Sequence, residues 1–176
     1  MIDFSRNHYA LFGLPERFRF EADALDRAYR ALQTEVHPDR HVAGDDAQQR
    51  LALQASARVN EAYRTLKDHV TRAEYLLQLH GIDPTSGTDT VLPIAFLERQ
   101  LERREVADEA AAAGDVPALD ALQADVRAEA AAIEGRLAQL LDGDGAWAAA
   151  RMPVRELRFL TKLQADIGAM AAVLEE

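Results

Sequence analysis

The chain has 176 residues, no cysteine and a formal net charge of −10. The absence of thiols excludes disulfides, cysteine-ligated zinc and a cysteine nucleophile, and the acidic balance argues against a nucleic-acid partner. No apolar run approaches the ~20 residues that a bilayer crossing needs, and the N-terminus shows no basic segment followed by an apolar one. We therefore expect a soluble, cytoplasmic protein that binds neither nucleic acid nor a membrane.

Composition predicts an all-α fold. Apolar residues make up 48% of the chain, and alanine, the strongest helix former, is abundant among them. The nine glycines and six prolines are few for this length and cluster at a handful of places. This distribution is typical of long helices joined by short turns, and no sustained strand-like alternation interrupts it.

The charge is divided unevenly along the chain. Residues 1–80 carry 11 Lys and Arg against 12 Asp and Glu, whereas residues 81–176 carry 9 against 18. This asymmetry indicates two units with different surfaces. We assign 1–81 to an N-terminal domain, 82–90 to a linker without periodic apolar residues, and 91–176 to a C-terminal domain.

The N-terminal domain is predicted to be an antiparallel helical hairpin with short helices at either side. Apolar residues recur at helical spacing over 25–36 and again over 51–66. Pro38 ends the first run, because proline disfavours a helical residue before it and donates no amide hydrogen. Short helices are expected over 7–12 and 71–79.

The C-terminal domain is predicted to be a three-helix bundle. Its apolar-periodic runs cover 93–113, 117–141 and 147–174. Gly114 ends the first run, and the segment Asp-Gly-Asp-Gly at 142–145 separates the second run from the third.

The tripeptide His37-Pro38-Asp39 is the most informative motif. It lies in the polar loop between the two long helices of the hairpin, where binding residues are common. The rigid proline would present an imidazole and a carboxylate in a fixed arrangement to a partner. His37, Asp39 and His41 could also be imagined as metal ligands, but no fourth ligand is evident. We expect no metal, no cofactor and no catalytic residues, since the acidic pairs lack a supporting nucleophile or phosphate-binding loop.

A helical hairpin with His-Pro-Asp in its loop is the J-domain signature. The strings YALFGLP, HPDR, RVNEAYRTLKD and RAEYLLQLHG, followed by AFLERQLERRE and VRELRFLTKL, closely resemble the HscB family of J-type co-chaperones in bacterial Fe–S cluster assembly. The resemblance covers nearly the whole chain. YLLQLHG and LRFLTKL lie outside generic J-domains and make it specific.

The resemblance implies a function without catalysis. The C-terminal bundle would bind an IscU-like Fe–S scaffold protein and bring it to an HscA-like ATPase chaperone of the DnaK class, whose ATPase the J-domain stimulates. Two other interpretations remain open, a J-domain co-chaperone for another client and a metal-dependent hydrolase centred on the histidines. We expect a monomer, although an exposed apolar stripe could also serve a self-contact.

The resemblance also implies an ATPase-facing set of residues, namely His37, Pro38, Asp39, Arg27, Arg30 and Arg40. Arg27 and Arg30 lie three apart, so both can face the same side of the helix. Thr34 and Glu35 stand where J-domains commonly carry Lys or Arg, which thins the basic surface.

The scaffold-binding set implied by the resemblance is Leu97, Leu101, Glu102, Glu105, Glu109 and Phe159. Leu97, Leu101, Glu105 and Glu109 follow at steps of four and share one slowly drifting helical face. Glu98 occupies a position where an apolar residue would be expected. Leu97 and Leu101 could instead belong to the core, with the glutamates merely solvated.

Overall fold

The computed structural model describes residues 3, 5–36, 46–85 and 91–175. The chain separates into two compact units, Met1–Leu79 and His80–Glu176. All regular structure within the described ranges is helical, which confirms the predicted all-α fold class. Among the described helices, none combines the length and apolarity that a bilayer crossing requires.

The described residues of the first unit form four helices. They are α1 (His8–Phe12), α2 (Ala22–Val36), α3 (Asp46–Lys67) and α4 (His69–Leu79). The side chain of Asn7 caps α1 by accepting a hydrogen bond from the Ala10 amide at 2.8 Å, and Gly13 ends the helix with φ of 65°. The short helices therefore match the expected positions to within two residues at their N-terminal ends.

Residues near the start of α2 pair with residues near the end of α3, and later residues of α2 pair with earlier residues of α3. Asp26 of α2 pairs with Lys67 near the end of α3 at 2.8 Å. Tyr29 stacks on Tyr63 with ring centroids 4.0 Å apart, and its hydroxyl donates a hydrogen bond to Asn60 at 2.9 Å. The hairpin is therefore antiparallel, as predicted, and these contacts fix the register of the two helices that flank the His-Pro-Asp sequence.

A buried arginine links separate segments in the core of the first unit. Arg72 of α4 is only 7% exposed. Its guanidinium donates hydrogen bonds to the carbonyl oxygens of Leu66 at 2.7 Å and Phe18 at 2.8 Å, and it lies 4.4 Å from the ring centroid of Phe20. The segment between α1 and α2 is thereby tied to the junction of α3 and α4.

The second unit is an up-down-up bundle of α5 (Ile94–Ala113), α6 (Val116–Ala138) and α7 (Arg151–Glu175). Gly114 ends α5 with φ of 68°, and the carboxylate of Asp115 caps α6 by accepting a hydrogen bond from the Ala118 amide at 3.0 Å. The core contains apolar side chains that are under 2% exposed: Leu119, Val126, Leu137, Val154, Leu157, Leu160 and Ile167.

The connection from α6 to α7 differs from the expected simple break. A π-helical turn, Gln139–Gly143, follows α6, and a 3₁₀ turn, Trp147–Ala150, precedes α7. The wider π turn changes the helical phase. Leu141, at 3% exposed, is consequently buried, whereas Leu140, which continues the apolar spacing of Ile133 and Leu137, is only partly buried.

The described beginning of the predicted linker packs onto the second unit. His80 stacks on Trp147 with ring centroids 3.6 Å apart. Pro84 is buried, and its carbonyl accepts a hydrogen bond from Arg155 of α7 at 3.2 Å. Residues 82–85 therefore belong structurally to the bundle, while 86–90 lie outside the described residues.

Candidate partner-binding surfaces

The His-Pro-Asp motif belongs to the segment that joins α2 to α3. His37, Pro38, Asp39 and Arg40, together with His41, lie outside the described residues. The described ends of this segment are Val36 and Asp46, the last residue of α2 and the first residue of α3. The motif is thus flanked by the two helices whose register the α2–α3 contacts define.

Arg27 and Arg30 lie on one exposed stripe of α2. Thr34 continues this stripe and donates a hydrogen bond from its hydroxyl to the Arg30 carbonyl at 2.9 Å. Arg30 itself donates from Nε to the Asp26 carbonyl at 3.2 Å. The structure therefore brings the two predicted arginines together on the solvent-facing side of α2, opposite the buried Leu25.

The neighbouring ion pair balances its own charge. The Lys67 ammonium, followed by the Tyr63 hydroxyl, donates hydrogen bonds that lower the pKa of the Asp26 carboxyl below its usual range. The same carboxylate raises the pKa of Lys67. Because Asp26 and Lys67 neutralise each other, the positive charge offered by α2 comes from Arg27 and Arg30.

Leu97 and Leu101 lie on the outer face of α5. Their exposed fractions are 37% and 60%, whereas Phe96, Gln100 and Ala107 on the inner face are at most 4% exposed. The alternative that the two leucines belong to the core is therefore wrong.

Phe159 of α7 joins this outer surface. It is 39% exposed and meets the buried Phe96 edge to face, with ring centroids 5.8 Å apart and an interplanar angle of 82°. Because Phe96 precedes Leu97 in α5, the ring contact brings Phe159 to the first turn of that helix. The structure thus places the three predicted apolar residues on exposed parts of adjacent helices.

Acidic side chains border the apolar residues of α5. Glu98, Glu102, Glu105 and Glu109 are all exposed. At about 100° per residue, Glu105 lies about 40° around the helix from Leu101, and the other glutamates lie further in the same direction. They form an acidic border on one side of the apolar stripe.

The arginines of α5 point away from this border. Arg99 pairs with Glu129 of α6 at 3.1 Å, and Arg103 pairs with both Glu129 and Asp125. On the other flank, Arg104 lies 3.7 Å from Asp166 of α7. These pairs leave the outer face of α5 apolar and acidic.

The structure also reveals an apolar residue that the sequence analysis missed. Ile94, the first residue of α5, is 72% exposed. It lies three residues before Leu97 and seven before Leu101, so helical spacing places Ile94 on the same side of α5 as the two leucines that the resemblance implied.

Two family models match separate parts of the chain. The DnaJ domain model matches residues 7–75, and the model described as the HSCB C-terminal oligomerisation domain matches residues 92–168. Within the described residues, no group of three or more His, Cys, Asp or Glu side chains could hold a metal ion.

Known relatives match over nearly the full length. A protein from Burkholderia multivorans, described as a co-chaperone protein HscB homolog, is 48% identical over 175 residues, which is 99% of each chain. The chaperone HscB from Vibrio cholerae has a TM-score of 0.86 at 34% identity, covering 96% of this chain and 99% of that one. The human co-chaperone protein HscB has a TM-score of 0.86 at 26% identity, covering 95% and 83%.

Proposed function

Because this chain belongs to the HscB family of J-domain co-chaperones, we propose that it delivers an IscU-like Fe–S scaffold to an HscA-like ATPase and stimulates ATP hydrolysis by that chaperone. The bundle holds the scaffold, the first unit engages the ATPase, and both steps take place in the cytoplasm. The full-length match, which spans the J-domain and the family-specific C-terminal domain together, carries this proposal.

The ATPase-facing surface combines the positive charge of α2 with the His-Pro-Asp motif. Arg27 and Arg30 attract an acidic surface of the chaperone and speed the encounter. His37-Pro38-Asp39, in the segment that joins α2 to α3, then engages the chaperone. Binding that favours the hydrolysis-competent conformation of the partner raises the turnover of that ATPase.

The scaffold-binding surface combines an apolar stripe with an acidic border. Burying Leu97, Leu101 and Phe159 in a partner supplies the free energy of binding. The glutamates along the border then require Lys or Arg on the opposing surface, which selects among partners and sets the register of binding.

An ATPase assay tests the first surface. Steady-state ATP hydrolysis by an HscA-type chaperone is measured with an IscU-type scaffold, with and without the purified chain. We expect stimulation that His37→Gln abolishes and that Arg30→Ala weakens several-fold at low salt. His69→Gln, the same substitution at the start of α4 and outside the predicted ATPase-facing set, is the matched control. Stimulation that survives His37→Gln would defeat the J-domain half of the proposal.

Calorimetry of the chain with the scaffold tests the second surface. The triple variant Leu97→Ala/Leu101→Ala/Phe159→Ala is expected to weaken binding at least a hundredfold, since each buried apolar side chain contributes about 1–2 kcal/mol. Unchanged affinity would place the interface elsewhere. If the unmutated chain fails to bind the scaffold, the bundle serves another client.

A further inference from the structure

A large apolar side chain is exposed at the start of α5. Ile94 is 72% exposed, more than Leu97, Leu101 or Phe159. Pro93 precedes it at the N-cap position, and the first turn of α5 carries no acidic residue. A helix start ordinarily favours polar or acidic side chains, so neither helix formation nor packing in the described structure accounts for isoleucine here.

Helical geometry places Ile94 within the apolar stripe. At about 100° per residue, it lies about 20° around the helix from Leu101 and about 60° from Leu97. Along the axis it precedes Leu101 by about 10 Å and Leu97 by about 4.5 Å. Ile94 also lies about 20° from Glu105, so it sits between the apolar side of the stripe and its acidic border.

A charged residue, Glu98, lies one helical turn after Ile94 in α5. Glu98 follows Ile94 by four residues and lies on nearly the same face, where it places an exposed charge. The apolar surface of α5 is therefore interrupted at Glu98 and continues at the first residue of the helix.

We propose that Ile94 is a principal anchor of the scaffold interface and that it enters an apolar pocket bordered by Lys or Arg side chains on the scaffold. This inference rests on the proposed function. Charge favours the scaffold over a second copy of the chain as the occupant: residues 81–176 carry 18 acidic against 9 basic residues, and two such acidic borders would repel each other.

The test is calorimetric titration of the full chain with the IscU-type scaffold. Ile94→Ala is expected to weaken binding about tenfold, comparable to Leu101→Ala, because most of an isoleucine side chain loses its partner. Val106→Ala is the matched control. Val106 is 48% exposed on α5 but lies about 120° around the helix from Ile94, and its truncation should leave the affinity unchanged.

The outcomes separate this inference from the proposed function. Loss of affinity in Leu101→Ala, with Ile94→Ala as tight as Val106→Ala, would overturn the inference and leave the proposed function intact. Absence of binding by the unmutated chain would remove both. Sedimentation of the free chain gives a third outcome: self-association that Ile94→Ala abolishes, with scaffold affinity unchanged, would assign the residue to a self-contact and overturn the inference.

Discussion

Replacing Arg72 by methionine is expected to destabilise the first unit selectively. Two hydrogen bonds from the guanidinium, to the carbonyls of Leu66 and Phe18, are 2.8 Å or shorter. Leu66 is in the last turn of α3, where carbonyls lack helical partners, so Arg72 also acts as a cap. Hydrogen bonds from a charged donor contribute at least about 1.5 kcal/mol each, and the contact with Phe20 adds about 0.5–1 kcal/mol.

The expected loss is therefore at least about 3.5–4 kcal/mol. Methionine retains the apolar bulk, so little of this arises from a cavity. Whole domains are stable by only about 5–15 kcal/mol, and a loss of this size would move the unfolding transition of the first unit far down in urea. We expect the second unit to be unaffected, because the chain forms two compact units.

Two spectroscopic signals distinguish the units in one urea titration. Far-UV circular dichroism follows the helices of both, whereas fluorescence follows Trp147, the one tryptophan of the chain, which lies in the second unit. Arg72→Met should lower the midpoint of the first unit and leave the fluorescence transition in place. Arg64→Met, which removes the same charge from an exposed site on α3, is the control. A shift under about 1 kcal/mol, or an equal shift of the fluorescence transition, would refute the reasoning.

The structure also predicts the direction of three further changes in stability. Burial lowers the pKa of His8 below its ordinary value of 6.5, so the first unit should lose stability as pH falls below about 6.5. The variant His8→Phe should reduce this loss, measured as the difference in melting temperature between pH 7.5 and pH 5.5. Gly114→Ala should cost about 1–2 kcal/mol, since alanine is strained at φ of 68°; an unchanged Trp147 transition in urea would contradict this. Gly168→Ala within α7 should instead stabilise by up to about 1 kcal/mol, because its nearest neighbour at 3.0 Å is the flexible end of Gln123; a lower midpoint in the same titration would show that this side chain cannot move.

Helix limits were predictable where a glycine or a proline, the residues with distinctive backbone preferences, stands at the end. Gly13 and Gly114 adopt positive φ at the ends of α1 and α5, where glycine meets little strain. Pro93 stands at the N-cap of α5. These are local preferences of the backbone, so they can be read without knowledge of the packing.

The π turn and the linker contact could not be predicted in the same way. Helical periodicity assumes 3.6 residues per turn, and the wider turn at Gln139–Gly143 buries Leu141 where that assumption selects Leu140. The hydrogen bond between Arg155 and the Pro84 carbonyl joins residues 71 positions apart. No local pattern encodes such a contact.

The candidate surfaces were predictable only in part because apolar periodicity cannot distinguish a buried face from a partner-binding face. The spacing of Leu97 and Leu101 is compatible with core packing and with partner binding, and only their exposure distinguishes the two. Ile94 was missed because the resemblance that supplied the scaffold-binding set does not include it, and its exposure is known only from the structure. The roles of His37-Pro38-Asp39 and of the two arginines on α2 stay predictions that the ATPase assay addresses.

Most contacts between helices join helices that are adjacent in the sequence, and this has a consequence for folding during synthesis on the ribosome. The dominant contacts join α2 to α3 and α6 to α7, and helical units with such local contacts fold within microseconds to milliseconds. Translation proceeds at about 5–20 residues per second. The remaining 97 residues, His80–Glu176, therefore take about 5–20 s to make. During those seconds, a folded J-domain precedes the bundle that we propose binds the scaffold.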